Sequence, residues 1–98
     1  MEIIKNTNGN ELNIALLGRL DTTTAPQLEE VIKNELEGVS ALSLDFEKLE
    51  YISSAGLRVL LAAQKTMNKQ GEMVIKNPND DIKEVFDITG FSDILTIE

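Results

Sequence analysis

A single α/β domain, with helices packed on a mixed sheet in the order ββαβαβαβ, is what this 98-residue sequence predicts. Three observations carry the prediction. Apolar and polar residues alternate in several short runs, the period of a half-buried strand. Elsewhere apolar residues recur at three- and four-residue spacing, the period of a helix with one buried face. After the first two strand-like runs the two patterns take turns, which implies crossover connections and helices layered on a sheet.

Ile3–Lys5 and Leu12–Leu17 read as the first two strands, and Asn8-Gly9 within the polar stretch between them signals a hairpin. Gly18–Thr24 reads as a loop. Leu28, Val31, Ile32 and Leu36 then share one helical face. Thr24 with Gln27 resembles a capping box, Pro26 is tolerated in the first turn, and Gly38 is placed to end the helix. Val39–Phe46 reads as a strand, with Leu42 and Leu44 alternating with Ser40, Ser43 and Asp45. A helix opens at Ser53-Ser54 and runs to about Lys69, where Gly71 is expected to supply a left-handed cap. Met73–Ile75 is a short strand closed by the turn residues Asn77-Pro78-Asn79. Ile82, Val85, Phe86 and Thr89 mark a third helix stopped by Gly90, and Ile94–Ile97 reads as a closing strand. No repeat, low-complexity tract or linker interrupts the chain, so residues 1–98 are taken as one domain.

Composition excludes much chemistry. The sequence has no His and no Cys, so the commonest general base, thiolate nucleophiles and the common zinc ligands are missing. The six Gly are scattered rather than gathered into a phosphate-cradling loop. Carboxylate pairs such as Glu29-Glu30 and Asp80-Asp81 lack the spacing of a calcium loop and read as surface charge. No catalysis, cofactor or metal is expected. A net charge of −8 argues against nucleic-acid binding and for solubility or a basic protein partner. No apolar run approaches the roughly 20 residues of a membrane span, and the start lacks the pattern of a signal peptide. A cytoplasmic setting is the expectation.

The most informative stretch is Tyr51-Ile52-Ser53-Ser54-Ala55-Gly56-Leu57-Arg58. It puts two adjacent hydroxyls where an apolar strand gives way to an apolar helix. A hydroxyl there can cap the free N–H groups of the first turn, act as a nucleophile, or accept a phosphoryl group. Gly in a first turn costs roughly 0.5–1 kcal/mol relative to Ala, so something should require Gly56. Close approach of a partner's backbone and close packing inside the domain both qualify. Arg58 can be merely solvated, pair with a carboxylate, or seat a partner.

Taken together, Gly18-Arg19-Leu20-Asp21 with Thr24-Ala25, Leu44-Asp45-Phe46, Ser53-Ser54-Ala55-Gly56-Leu57, Gly71-Glu72-Met73 and Phe86-Asp87-Ile88-Thr89-Gly90-Phe91 resemble the STAS domain. More closely, they resemble the bacterial anti-sigma factor antagonists, over nearly the whole chain and in order. The resemblance implies a partner switch. The unphosphorylated antagonist binds an anti-sigma factor that is also a serine kinase, which frees a sigma factor. The kinase phosphorylates one Ser at the helix start and breaks the complex, and a metal-dependent serine phosphatase reverses the modification.

Aligned on Gly56, the phosphorylated position falls on Ser54, with Ser53 as the alternative acceptor. Many family members carry Asp where this chain has Ser53. Ser keeps the capping ability but loses the negative charge, so capping is the role expected of Ser53. The resemblance places the loop holding Asp21 beside the acceptor. Asp21 is then expected to orient the hydroxyl, contact the kinase, or cap the Thr-rich turn. Thr22 and Thr23 are candidate contacts by position alone. The partner-binding set is therefore Asp21, Thr22, Thr23, Ser53, Ser54, Gly56 and Arg58. The competing expectation within the family is a constitutive STAS subunit of a lipid-transporting ABC assembly, which docks on an ATPase and needs no phosphorylatable hydroxyl.

Overall fold

The computed structural model describes residues 1–98. Strands β1 (Glu2–Asn8) and β2 (Glu11–Leu20) pair antiparallel as the hairpin. Its two-residue connection is Gly9–Asn10, and Gly9 takes the positive φ of 63° that a turn matched to strand twist demands. Strand β3 (Ala41–Ile52) runs parallel to β2, and β4 (Glu72–Lys76) runs parallel to β3, giving a sheet in sequence order. Helices α1 (Ala25–Glu35) and α2 (Ser54–Asn68) make the two crossovers, and α3 (Asp80–Thr89) follows β4.

The alternation read from sequence sets the layers. Leu12, Ile14 and Leu16 of β2, Leu42, Leu44 and Phe46 of β3, and Met73 and Ile75 of β4 are all buried. They share one core with Leu28 and Ile32 of α1, Leu60, Ala63 and Met67 of α2, and Phe86 of α3. The Phe46 and Phe86 rings lie 6.4 Å apart between centroids, which ties α3 to β3. The intervening residues, Asn13 and Ala15 on β2 and Ser43 and Asp45 on β3, are only half-buried. All three helices thus cover one face of the sheet. Because β2 and β3 are parallel, α1 and α2 both begin at the same edge, outside the carboxyl ends of the strands. That edge is where open α/β sheets hold their functional groups.

Four local expectations are corrected. Strand β3 runs on to Ile52 rather than ending at Phe46, because two register shifts break its alternation. Asp45 pairs with Ala15 but Lys48 with Leu17, and Leu49 pairs with Gly18 but Tyr51 with Arg19. Each extra residue is a bulge that turns the side chains over. The Thr24–Gln27 capping box does not form. Thr24 Oγ1 donates instead to the Arg19 carbonyl at 2.7 Å and accepts from the Asp21 N–H at 2.8 Å. Gly71 is no left-handed cap: the positive-φ glycines are Gly9, Gly18, Gly38 and Gly90. What requires Gly71 is crowding, since a Cβ there would stand 1.9 Å from the Ser40 carbonyl oxygen. Finally, the closing strand shrinks to one parallel bridge between Ile75 and Ile97, preceded by a 3₁₀ turn at Phe91–Asp93.

Candidate functional site

The site is built where β2 and β3 end. Leu20 and Ile52 are paired and buried, and the Ser53 N–H donates to the Leu20 carbonyl at 2.9 Å. That bond fixes the start of α2 beside the loop after β2. Ser53 is the N-cap by backbone, with φ −103° and ψ 176°, and its carbonyl accepts from Leu57 N–H at 3.0 Å. Its side chain does not cap. The Ser53 hydroxyl is buried without a hydrogen-bond partner, which corrects the capping role expected of it. Ser54, the first residue of α2, is exposed, and its hydroxyl makes no hydrogen bond within the chain.

Gly56 lies beneath this surface. It is buried, and a Cβ would come within 2.7 Å of Leu20 Cγ and 2.9 Å of Ile52 Cγ1. Its requirement is packing inside the domain, which lets α2 sit down on the two strand ends. Of the two readings the sequence offered for Gly56, its surroundings support close packing.

Asp21 organises the neighbouring turn. Its Oδ1 accepts from the Thr23 N–H at 3.0 Å, the Thr23 hydroxyl at 2.8 Å and the Thr24 N–H at 3.2 Å. It forms no hydrogen bond with either Ser, so orientation of the acceptor hydroxyl is not its role here. The Thr23 hydroxyl bond is the main reason its carboxyl is held below the ordinary 3.8, partly opposed by burial and supported by the Thr23 and Thr24 N–H groups. A depressed folded-state pKa adds stability above the unfolded value and loses it as pH falls through the folded one. Asp21→Asn should therefore melt below wild type at neutral pH. Thermal melts should show that gap closing as pH drops below 3.8.

The sequence reading missed two residues here. Arg19 Cζ stands 4.3 Å from the centre of the Tyr51 ring, and Arg19 Nε lies 3.7 Å from Asp21 Oδ2. Their spacing held a signal, since Arg19 and Tyr51 each stand two residues before Asp21 and Ser53, but the register linking them depends on the bulges. Between α1 and α2 a groove of about 220 Å³ is lined by Thr22, Ala25, Pro26, Glu29, Ala55, Arg58 and Val59. It brings Thr22 and Arg58 to one depression. Thr23, by contrast, is engaged with Asp21. No group of His, Cys, Asp or Glu is arranged to hold a metal, and no helix is long and apolar enough to cross a membrane.

Comparison with known proteins agrees with this geometry. The STAS domain family matches residues 2–98. An anti-sigma-B factor antagonist of Listeria monocytogenes is 33% identical over 98 residues, covering 97% of this chain and 85% of that protein. The anti-sigma-B factor antagonist of Bacillus subtilis is 31% identical over 91 residues, covering 92% and 84%. Among solved structures, the Bacillus anti-sigma factor antagonist SpoIIAA superposes in its unphosphorylated form with a TM-score of 0.79 at 20% identity, over 99% of this chain and 87% of that one. Its phosphorylated form gives 0.78 at 20% identity, over 99% and 91%. With a whole-chain family match, close relatives of similar length and the same fold, this chain belongs to the STAS domain family.

Proposed function

We propose that the chain is an anti-sigma factor antagonist working as a phosphorylation-controlled partner switch, with Ser54 as the acceptor. Unphosphorylated, it binds an anti-sigma factor that is also a serine kinase, in the cytoplasm, and so releases a sigma factor. Phosphorylation of Ser54 breaks that complex, and a metal-dependent serine phosphatase restores it. The chain is the substrate in this cycle, not the catalyst.

The observation that carries the reading is the state of the two hydroxyls. Ser54 is exposed and unbonded, open to a kinase, whereas the Ser53 hydroxyl is buried. Phosphate at Ser54 would bring about −1.5 to −2 charges and three acceptor oxygens. It would sit at the N-terminus of a 15-residue helix, where free N–H groups and the dipole favour an anion. The fold therefore has no reason to change. The switch acts on the interface, where an uncompensated phosphate is expensive to bury. Thr22 and Arg58, which share the neighbouring groove, are the contacts proposed beside Ser54. Asp21 and Thr23 shape the adjoining turn.

The test is incubation with ATP and the anti-sigma factor kinases of its own cell, read by intact-mass and tandem mass spectrometry. One phosphate on Ser54, and none on the Ser54→Ala variant, is the expected result. A chain that stays unmodified would return it to the docking-module alternative.

A further inference from the structure

Helix α2 carries a charge pattern opposite to that of the rest of the molecule. The chain has 17 acidic and 9 basic residues, yet residues 54–69 contain Arg58, Lys65 and Lys69 and not one carboxylate. With Ser54 and Ala62, these three cations occupy successive exposed turns and form a single stripe along the helix. By the rise of an α-helix the stripe is about 22 Å long. None of the three is ion-paired: the salt bridges of the chain are Lys5–Glu35 and Arg19–Asp21. Basic residues near a helix C-terminus complement its dipole, which accounts for Lys65 and Lys69 in part. Arg58 in the second turn lies beyond the reach of either helix end, so dipole stabilisation does not explain the whole stripe.

A concave seat runs beside it. The groove next to Ser54 continues into a second one of about 430 Å³ between α1 and α2, and the two share Glu29 and Val59. On the α1 side this seat is lined by Glu29, Ile32 and Lys33, with Glu37 just past the helix, and on the α2 side by Val59, Ala62 and Thr66.

We propose that the α2 stripe from Ser54 to Lys69 is a docking rail for an acidic segment of the anti-sigma factor kinase. The inference rests on the partner-switch reading and extends it, adding Lys65 and Lys69 to the contact surface and fixing the sign of the partner's charge. A narrow acidic protein segment fits better than nucleic acid or an anionic bilayer. The molecule measures 33 × 27 × 19 Å, so an extended anionic surface pressed on α2 would also feel the acidic remainder. A segment lying along one helix is screened from that remainder within a Debye length of about 10 Å at 0.1 M salt. The rail also explains the direction of the switch. Phosphate at Ser54 places about two negative charges at one end of a cationic stripe and cancels most of its attraction.

The experiment measures association of the kinase that modifies Ser54 with three forms of the chain, at low and moderate salt. These are wild type, Lys65→Glu/Lys69→Glu, and Lys48→Glu/Lys83→Glu, which has the same net charge but changes exposed residues off α2. Electrostatic steering typically changes association rates by 10- to 1,000-fold, so the rail variant is expected to associate about tenfold more slowly, with a flatter salt dependence. The off-helix variant should stay near wild type. Lys65→Gln/Lys69→Gln, which keeps good helix formers, should show a smaller loss in the same direction and guards against misfolding of the reversal. Equal slowing of rail and off-helix variants, or none in either, would overturn the rail while leaving the switch intact. Binding of wild type to phosphatidylglycerol vesicles, with kinase association unaffected by the rail variant, would replace the acidic segment by a membrane. A wild-type chain that neither binds the kinase nor gains phosphate would remove the switch itself.

Discussion

Ser54→Glu is expected to lower affinity for the anti-sigma factor kinase by about 100-fold or more while leaving the protein folded. The two halves of that result have separate causes. Ser54 opens α2, is exposed and makes no hydrogen bond, so a larger side chain meets no obstacle within the domain. A carboxylate in the first turn of a helix stabilises it by about 0.3–1 kcal/mol, so the melting temperature should hold or rise slightly. At the interface the sign reverses. Like-charge juxtaposition across a protein contact costs several kcal/mol, and each 1.4 kcal/mol is tenfold in affinity. Calorimetric titration with the kinase, beside thermal melts of the same samples, measures both. Ser54→Ala should bind as wild type and refuse phosphate. A Ser54→Glu protein that binds undiminished would place the switch elsewhere. One that unfolds would make the first turn of α2 structural rather than regulatory.

In the candidate site, the sequence made legible those local features that a single residue's surroundings determine. Ser54 stands at a strand-to-helix junction, and a junction is visible as a change of hydrophobic period. Asp21 was legible as a turn-former, because Asp binds backbone N–H groups two and three residues on, as it does with Thr23 and Thr24. What failed depended on tertiary register. Ser53 has the right residue type for a side-chain cap, yet its hydroxyl is turned inward and left without a partner. The Arg19–Tyr51 contact follows from pairing across β2 and β3 after two bulges, and bulges leave little mark in composition. The α1/α2 groove requires both helices to be in place.

The same division holds for the fold. Strand and helix identity, and their order as far as α3, followed from local periodicity. Strand β3 outran its reading because Leu49 is buried out of phase with Leu42, Leu44 and Phe46, and a second bulge restores the phase only at Ile52. The closing strand contracted because Phe91–Asp93 forms a 3₁₀ turn. That leaves Ile97 only one bridge to Ile75 on the edge of β4. Gly71 was read as a conformational glycine, and it is a steric one.

Gly71→Ala is the substitution expected to damage stability most. At a glycine without a positive φ, an exchange for Ala usually stabilises by about 0.4–1 kcal/mol, because the unfolded chain loses freedom. Here the new Cβ would lie 1.9 Å from the Ser40 oxygen, 2.6 Å from its carbon and 2.8 Å from its Cα. All three are backbone atoms, so no rotamer change relieves the clash. Ser40 itself is fastened. Its N–H donates to the Asn10 carbonyl at 2.8 Å, and its own carbonyl accepts from Glu72 N–H at 3.0 Å. Gln70 Nε2 adds two further ties, to the carbonyls of Leu36 and Val39 at 2.5 and 2.6 Å. Making room means prising the start of β4 from β3 at the Ala41–Glu72 pair. The cost should reach the upper end of overpacking, about 3 kcal/mol, or a fall in melting temperature of more than about 10 °C for a domain of this size. Gly38→Ala is the informative partner: φ is 79° with no atom within 4 Å, so it carries backbone strain without a clash and should cost only about 1–2 kcal/mol. Melting temperatures of the two variants decide the matter. Were Gly71→Ala as stable as Gly38→Ala or better, the loop after α1 would have to be free to move away from β4. The joint that fixes the far end of α2 would then be looser than its hydrogen bonds imply.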